Sequence, residues 1–150
     1  MKSKEINSEA INNDPNLYYE KSLGTTIVAL IYSGEVMLAA DARTSSGQYV
    51  ANRVADKIWP ITSNIFALKC GSAADTQFLL QTTKSYMNQF GVEYGDKPPV
   101  KVAVRILQQF QYQYKDYLSC AVIVCGVDNL EGPCIYSVGM GALSLKEFLL

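Results

Sequence analysis

Thr25 is the residue of this chain whose type and surroundings best suit covalent chemistry. It follows Gly24 and precedes Thr26 and the apolar run Ile27-Val28, so a polar leader gives way there to a strand. The chain contains no histidine, which excludes the Ser-His-Asp and Cys-His arrangements. A threonine at the amino terminus can use its own α-amino group as the base, because that amine has an unperturbed pKa of about 8. Thr25 is therefore a candidate nucleophile once residues 1–24 are removed, although Gly-Thr-Thr is also typical of an ordinary strand start.

The composition predicts one domain with a core and no strongly charged partner. Apolar residues make up 49% of the 150, enough for a sizeable core. The 13 basic and 14 acidic residues nearly balance, so we expect neither nucleic acid nor an anionic membrane surface as a partner. No apolar run approaches the length of a membrane span. Residues 1–24 lack the apolar centre of a secretion signal and are typical of a pro-segment or a disordered terminus.

The four cysteines predict neither a metal site nor disulfides. They are Cys70, Cys120, Cys125 and Cys134, with no C-x-x-C pair and no histidine nearby to complete a zinc site. In the absence of a secretion signal, we expect reduced thiols in or near the core of a cytosolic or nuclear protein. No metal and no cofactor are predicted.

The elements that must position Thr25 begin with a hairpin. Residues 26–32 and 36–40 are apolar, and Ser33-Gly34-Glu35 between them supplies the glycine that a tight turn needs. The apolar residues are nearly continuous over 27–32, which predicts a sheet covered on both faces. Further extended segments are predicted at residues 49–51, 58–61, 65–68, 120–127 and 134–138, with 62–64 as the turn of a second hairpin and 128–132 as the turn of a third.

Two helices are predicted in succession. The first starts at Ser72, with Asp75 three residues later as a variant capping box, and ends at Gly91. Its predicted apolar face comprises Ala74, Phe78, Tyr86 and Phe90, widened by Leu79 and Leu80. The second follows Pro99 and reaches about Tyr117, with Ala103, Val104, Leu107, Phe110 and Tyr114 at helical spacing. Two helices without an intervening strand favour an α+β fold in which a helix pair covers an antiparallel sheet.

Five motifs follow one another at characteristic distances. They are Gly24-Thr25-Thr26-Ile27, Ala39-Ala40-Asp41-Ala42-Arg43-Thr44, Tyr49-Val50-Ala51-Asn52-Arg53-Val54-Ala55-Asp56-Lys57, Gly71-Ser72-Ala73-Ala74-Asp75-Thr76-Gln77 and Tyr136-Ser137-Val138. In these motifs the chain resembles the catalytic β subunits of the 20S proteasome, which are N-terminal threonine hydrolases, and most of all the post-acidic, caspase-like type. The resemblance implies the four-layer αββα sandwich of N-terminal nucleophile hydrolases, of which this chain would hold the first part. It also implies a propeptide at 1–24 and a C-terminally incomplete β-type domain at 25–150.

The resemblance assigns four catalytic residues. Thr25 would be nucleophile and general base in one, freed when the Gly24–Thr25 bond is cleaved through an N–O acyl shift. Lys57 would lie beside it, where an ammonium favours loss of the hydroxyl proton. Asp41 would pair with Lys57, since a buried cation needs a partner. Gly71 would offer its backbone N–H to the oxyanion, and its place before a capped helix supports this independently, although a tight strand-to-helix turn would also favour glycine.

The resemblance also assigns a substrate-binding set, namely Lys69, Thr44 and Ala73. Lys69 matches the position at the floor of the specificity pocket, where a basic residue favours an acidic side chain before the scissile bond. The family usually has arginine there, and lysine keeps the charge without the bidentate fork. Ala55 stands where this type often has a hydroxyl residue. We therefore expect an acidic preference with weaker discrimination.

Three functions remain open at this point. The first is a threonine endopeptidase of the cytoplasm and nucleus, assembled with other α and β subunits in stacked rings and acting on unfolded polypeptide. The second is a structural or truncated ring subunit without activity, in which one sheet would lose its cover and keep exposed apolar surface. The third is another N-terminal nucleophile hydrolase acting on a small amide.

Overall fold

The protein is described by a computed structural model over residues 24–46, 49–52, 54–94, 98–140 and 144–146. These residues form, in chain order, β1 (Ile27–Tyr32), β2 (Glu35–Ala40), β3 (Thr44–Ser46), β4 (Tyr49–Asn52), β5 (Ile58–Pro60), β6 (Ile65–Gly71), α1 (Ala73–Tyr94), α2 (Val100–Gln113), β7 (Cys120–Asp128), β8 (Gly132–Val138) and β9 (Ser144–Lys146). The order confirms the predicted α+β fold with two consecutive helices. The predicted propeptide, apart from Gly24, lies outside the described residues, as does the segment 147–150.

The first hairpin has the predicted strands and a tighter turn. β1 and β2 are antiparallel, with Ile27 opposite Ala40 and Tyr32 opposite Glu35. The turn is therefore the two-residue segment Ser33-Gly34, and both residues have positive φ, of 53° and 81°. Such turns match the twist of the flanking strands. Glu35, predicted as part of the turn, belongs to β2.

The main sheet has five antiparallel strands in the order β5-β6-β7-β8-β9, while β3 and β4 form a separate pair. The predicted hairpins at 58–68 and 120–138 are both present within it. β9 was not predicted, since its three residues are too short to carry a periodic signal. The register of β5 and β6 places Ile58 opposite Leu68 and Trp59 opposite Ala67, and this pairing positions part of the site described below.

A helix pair covers one face of the five-stranded sheet, as predicted. The buried core between them contains Ile61, Ile65, Ala67, Leu79, Leu80, Met87, Val100, Ala103, Leu107, Val122, Val124 and Val138. The first turn of α2 is completed from the sheet, because the Val100 N–H donates to the Asp128 carboxylate at 2.9 Å. Pro99, just before that helix, has no side chain able to do so. None of the helices in the described part of the chain is long and apolar enough to cross a membrane.

The predicted apolar face of α1 is confirmed at Leu79 and Leu80, which are buried, and wrong at Ala74, Phe78 and Tyr86, which are exposed. Phe78 and Tyr86 are 49% and 50% exposed and contact the aromatic rings of Tyr114 and Phe110 near the end of α2. The buried residues of α1 that the prediction missed are Thr76, Thr83 and Met87. Both threonine hydroxyls donate to carbonyls of the preceding turn, so they enter the core without an unpaired polar group. A hydrophobic pattern that counts threonine as polar therefore places the buried face of α1 partly on the wrong side of the helix.

The predicted end of α1 was also wrong. The helix continues through Gly91 and ends at Tyr94. Gly91 is not among the glycines with positive φ, so its backbone is compatible with a helix interior and does not act as a stop. Glycine within a helix costs about 1 kcal/mol relative to alanine. Burial of side chains in the preceding turns of α1 can offset this cost.

The β1–β2 hairpin packs on the other face of the main sheet, against β5 to β8. Its side chains alternate between half-buried and exposed, so the predicted cover on both faces is absent among the described residues. Val28, Leu30, Tyr32 and Met37 are 46%, 38%, 69% and 53% exposed. The described elements thus build three layers, a helix pair, a five-stranded sheet and a hairpin, which form part of the predicted αββα sandwich.

All four cysteines are free in the structure. Cys120, Cys125 and Cys134 are buried and Cys70 is half-buried. Burial, followed by the neighbouring Cys134, raises the pKa of the Cys125 thiol to about 12.

Candidate active site

Asp41 holds the start of β1 and the end of β2 together. It follows β2 directly, and the hairpin register places it opposite Thr26, whose carbonyl accepts the Asp41 N–H at 3.0 Å. The Thr26 N–H donates to Asp41 Oδ1 at 2.8 Å, and the Arg43 N–H donates to Oδ2 at 3.1 Å. The residue bound to this carboxylate is thus the immediate neighbour of Thr25, which is itself half-buried.

Lys57 completes the group around the Asp41 carboxylate. Its Nζ lies 2.8 Å from Asp41 Oδ1 and 2.9 Å from Oδ2, and 2.7 Å from the carbonyl oxygen of Arg43. Only 7% of Lys57 is exposed. An ammonium has three protons to donate, and these three acceptors can use all of them. The buried cation is therefore fully satisfied by two neighbouring residues, as burial of a charge requires.

The electrostatics of the pair favour an ionised carboxylate. The hydrogen bond from Lys57, followed by that from the Thr26 N–H, lowers the pKa of Asp41 from 3.8 to about 2. Each of these donors stabilises the charged form of the acid. Asp41 therefore carries its negative charge near neutral pH.

The main sheet holds the backbone of Lys57. The Lys69 N–H donates to the Lys57 carbonyl at 2.9 Å, one step beyond the β5–β6 ladder. The Ala55 N–H donates to the Ala42 carbonyl at 2.8 Å, which joins the segment before β5 to the segment after β2. The two hairpins are thereby joined at the ion pair, and the Lys57 side chain crosses from one to the other.

Gly71 ends β6 at a point where any side chain would be strained and crowded. Its φ is +99°, and a Cβ there would lie 2.6 Å from the Ser119 carbonyl oxygen and 2.8 Å from the Cys120 Cα. N–H groups two residues apart in a strand point to the same side. Because the Lys69 N–H points to Lys57, the Gly71 N–H points to that same side, past the beginning of β5 at Ile58.

The corner between β6 and α1 is held by the segment before β7. The Ser72 N–H donates to the Ser119 carbonyl at 2.9 Å, and the Ser119 N–H donates to Asp75 Oδ2 at 3.1 Å. The predicted capping box is therefore incomplete. Ser72 Oγ faces the Asp75 N–H at 3.5 Å, a weak contact, while the Asp75 carboxylate bonds to the segment before β7 instead. These contacts fix the backbone that follows Gly71.

Lys69 lies on the same side of the sheet as Trp59. Its Nζ is 5.0 Å from the centroid of the Trp59 ring, within the range of a cation–π contact. Both residues are half-buried. The Trp59 Nε1 is buried and makes no hydrogen bond to the described residues, so packing and the Lys69 ammonium are the contacts seen to hold the ring.

The remaining predicted residues lie at the periphery of this group. Ala73 is the exposed first residue of α1, and Gly24 is exposed just before Thr25. Thr44 begins β3, and its side chain lies outside the described residues. The structure thus brings Asp41, Lys57 and the neighbour of Thr25 into direct contact, while Gly71 and Lys69 join them through β6.

Three contributors escaped the sequence reasoning. The Thr26 N–H and the Arg43 carbonyl act through the backbone, which carries no residue-type signal. The sequence predicts Trp59 only as a strand residue, although the predicted turn at 62–64 implies a register that sets it near Lys69. The described residues hold no group of three or more metal-ligating side chains.

Comparisons with known proteins place the chain in one family. A sequence model of the family described as "Proteasome subunit" matches residues 21–148. The chain is 38% identical over 134 residues to "Proteasome subunit beta type-6" of Arabidopsis thaliana, covering 89% of this chain and 58% of that protein. It is 43% identical over 128 residues to "Probable proteasome subunit beta type-1" of Schizosaccharomyces pombe, covering 85% and 57% respectively. It is also 34% identical over 129 residues to the human "Proteasome subunit beta type-9", covering 86% and 59%. The chain therefore spans somewhat more than half the length of these curated relatives.

Proposed function

Because the chain belongs to the proteasome subunit family, we propose that it is a catalytic β-type subunit. In this proposal it is a threonine endopeptidase that cleaves peptide bonds after acidic residues within the 20S core, and so contributes to protein degradation. Its partners are the other α and β subunits of stacked rings, and its substrate is unfolded polypeptide. The free thiols suit a reducing compartment, so the proposed sites of action are the cytoplasm and nucleus.

The observation that carries the proposal is the bridging position of the Asp41 carboxylate. One of its oxygens accepts both the Lys57 ammonium and the N–H of the residue after Thr25. A surface ion pair would leave both groups in water, whereas Lys57 is 7% exposed. Burying a cation at this point has a clear chemical use if a neighbouring hydroxyl must lose its proton.

The proposed reaction begins with removal of residues 1–24. Until the Gly24–Thr25 bond is cut, the Thr25 nitrogen is an amide and cannot act as a base. Once freed, the amine takes the proton of the Thr25 hydroxyl as Oγ attacks the substrate carbonyl carbon, and the nearby Lys57 ammonium stabilises the developing alkoxide. The Gly71 N–H, on the same side of β6 as the bond to Lys57, is the proposed donor to the oxyanion.

Two steps complete the proposed turnover. The tetrahedral intermediate collapses, the C–N bond of the substrate breaks, and the leaving amine departs with the proton held by the Thr25 amine. The acyl group is then an ester on Thr25 Oγ. A water molecule attacks this ester, with the same amine as base, and releases the acid product and free Thr25.

The preference for acidic residues follows from Lys69 in this proposal. Lys69 and Lys57 are directly opposed across the β5–β6 ladder, so Lys69 lies in the same part of the sheet as the proposed catalytic lysine. An ammonium there favours a carboxylate in the residue before the scissile bond. Ala73, at the exposed start of α1, and Thr44 are the further proposed contacts of the substrate.

The proposal is tested on particles purified from cells whose own copy carries a variant of this chain. Thr25→Ala is compared with Thr82→Ala, which removes a half-buried hydroxyl within α1. Two measurements are made, an intact mass that reports the first residue of the chain, and hydrolysis of a fluorogenic peptide with Glu before the cleaved bond. We expect wild type and Thr82→Ala to begin at Thr25 and to cleave the peptide. Thr25→Ala is expected to assemble and not to cleave it.

Two results would refute parts of the proposal. Assembled wild-type particles that retain residues 1–24 on this chain, with no loss of activity in Thr25→Ala, would identify a structural subunit. A wild-type chain that starts at Thr25 yet cleaves Glu and neutral substrates equally would keep the endopeptidase and remove the acidic preference.

A further inference from the structure

Lys57 and Lys69 lie opposite each other across β5 and β6, and their ammonium groups contact different partners. Lys57 and Lys69 are directly opposed, since the Lys69 N–H donates to the Lys57 carbonyl. Side chains at such positions leave the sheet on the same side about 5 Å apart, and like charges there repel. Lys57 Nζ is directed to Asp41. Lys69 Nζ is directed diagonally across the strands to Trp59.

We infer that Trp59 is a positioning residue that fixes the charge of Lys69 for recognition of an acidic substrate side chain. The inference rests on the proposed function, because it assigns Lys69 to the specificity site. The flexible lysine has no carboxylate partner among the salt bridges formed by the described residues. The indole face is therefore what holds its ammonium in one place, and it does so without neutralising the charge.

The geometry explains why an aromatic ring suits this task. A carboxylate next to Lys69 would compete with an acidic substrate for the ammonium, whereas a ring attracts the cation through its quadrupole and leaves protons free to bond to oxygen. The ring is itself held in place, since Trp59 packs against the hydrophobic core and sits opposite Ala67 in the ladder. Lysine lacks the planar fork of arginine and loses more freedom on binding, so a preorganised ammonium offsets part of that deficit.

The experiment compares two substrates on particles that carry variants of this chain. The fluorogenic peptides differ only in Glu or Gln before the cleaved bond, and the quantity measured is the ratio of their kcat/KM values. Trp59→Leu removes the ring, Trp59→Phe keeps a weaker one, and Lys69→Gln removes the charge. The matched control is Tyr112→Leu, which removes the other cation–π contact, between Tyr112 and Lys115 at 5.4 Å.

The expected changes are specific to charge. We expect Trp59→Leu to lower the Glu-to-Gln ratio about three- to tenfold, the range of a cation–π contact at a partly exposed site. Trp59→Phe should lower it about twofold, and Tyr112→Leu should leave it unchanged. A merely structural role of Trp59 would instead lower cleavage of both peptides by the same factor and leave their ratio unchanged. If Trp59→Leu fails to assemble, the Phe variant decides, and an unchanged ratio in it overturns the inference.

A second measurement needs no activity. The Lys69 amine in intact particles is acetylated, and its labelling rate is followed by mass spectrometry of the peptide that contains it. Loss of the covering ring in Trp59→Leu should raise this rate several-fold, and an unchanged rate overturns the inference. The proposed function fails separately, when Lys69→Gln leaves the Glu-to-Gln ratio unchanged while the labelling rate still responds to Trp59.

Discussion

Replacement of Gly71 by alanine is expected to destabilise the chain by about 3 kcal/mol. At φ of +99° an alanine is strained by about 1–2 kcal/mol. Its Cβ would also lie 2.6 Å from the Ser119 carbonyl oxygen. That oxygen already accepts the Ser72 N–H, so it can move away only if the corner between β6 and α1 moves with it. Overpacking of this kind adds about 1–3 kcal/mol.

Gly34→Ala is the matched control. Gly34 also has a positive φ, of +81°, but a Cβ there would meet nothing within 4 Å. It therefore measures backbone strain without the close contact, and we expect a loss of about 1 kcal/mol. The difference of about 2 kcal/mol corresponds to about 4–8 °C in Tm for a chain of this size. Thermal unfolding of wild type and both variants, in one buffer and one assembly state, gives the comparison.

Equal losses of stability in the two variants would refute the reasoning. They would mean that the contact of Gly71 with Ser119 and Cys120 yields without cost, and that the end of β6 is not fixed in place. Peptide hydrolysis adds a second criterion. If the Gly71 N–H supports the oxyanion, Gly71→Ala lowers kcat, while Gly34→Ala leaves kcat unchanged because its turn lies at the far end of β1.

Three further predictions concern pH, thiols and the helix face. Because the pKa of Asp41 is lowered from 3.8 to about 2, its stabilising contribution is complete above about pH 5 and is lost as pH falls towards 2. The stability difference between wild type and Asp41→Asn, followed by thermal unfolding, should therefore be constant near neutrality and shrink between pH 4 and 2, and a difference independent of pH would contradict it. Alkylation followed by mass spectrometry should modify half-buried Cys70 before buried Cys125, since a pKa raised from 9.0 to about 12 cuts the Cys125 thiolate fraction about a thousandfold. Met87→Ala should cost about 2–5 kcal/mol and Phe78→Ala about 1 kcal/mol or less in chemical unfolding, the reverse of what the predicted apolar face of α1 implies.

The sequence predicted most of the fold because its strands and turns carry local signals. Glycine and polar turn residues punctuate apolar runs, so the hairpins at 26–40, 58–68 and 120–138 follow from short-range chemistry. The face of α1 could not be predicted in this way. Thr76 and Thr83 are buried with their hydroxyls bonded to the helix backbone, and their residue type does not show whether that bond forms.

The candidate site was predicted through family resemblance, and only part of it follows from the residues alone. A two-residue turn at Ser33-Gly34 sets Thr26 opposite Asp41. This contact could be predicted from the sequence if the turn were assigned to those two residues. The bond from Lys57 to Asp41 could not be predicted in this way, because it joins two separate sheets and no local sequence pattern encodes how they pack. The bond from Lys57 to the Arg43 carbonyl could not be predicted either, because a backbone carbonyl carries no signal of residue type.

The ion pair between Lys57 and Asp41 also has a place in the order of folding. The Thr26–Asp41 contact needs only the first hairpin, and hairpins form in about 1–10 μs. Lys57 is held by β6, and β6 pairs with β7, with Gly71 opposite Cys120. In the sequence β7 follows β6 only after both helices. Such non-local pairing forms late. We therefore expect the Asp41 carboxylate to bind the Thr26 N–H first and the Lys57 ammonium only after β5 and β6 have joined the main sheet, so that the ion pair beside Thr25 forms late in folding.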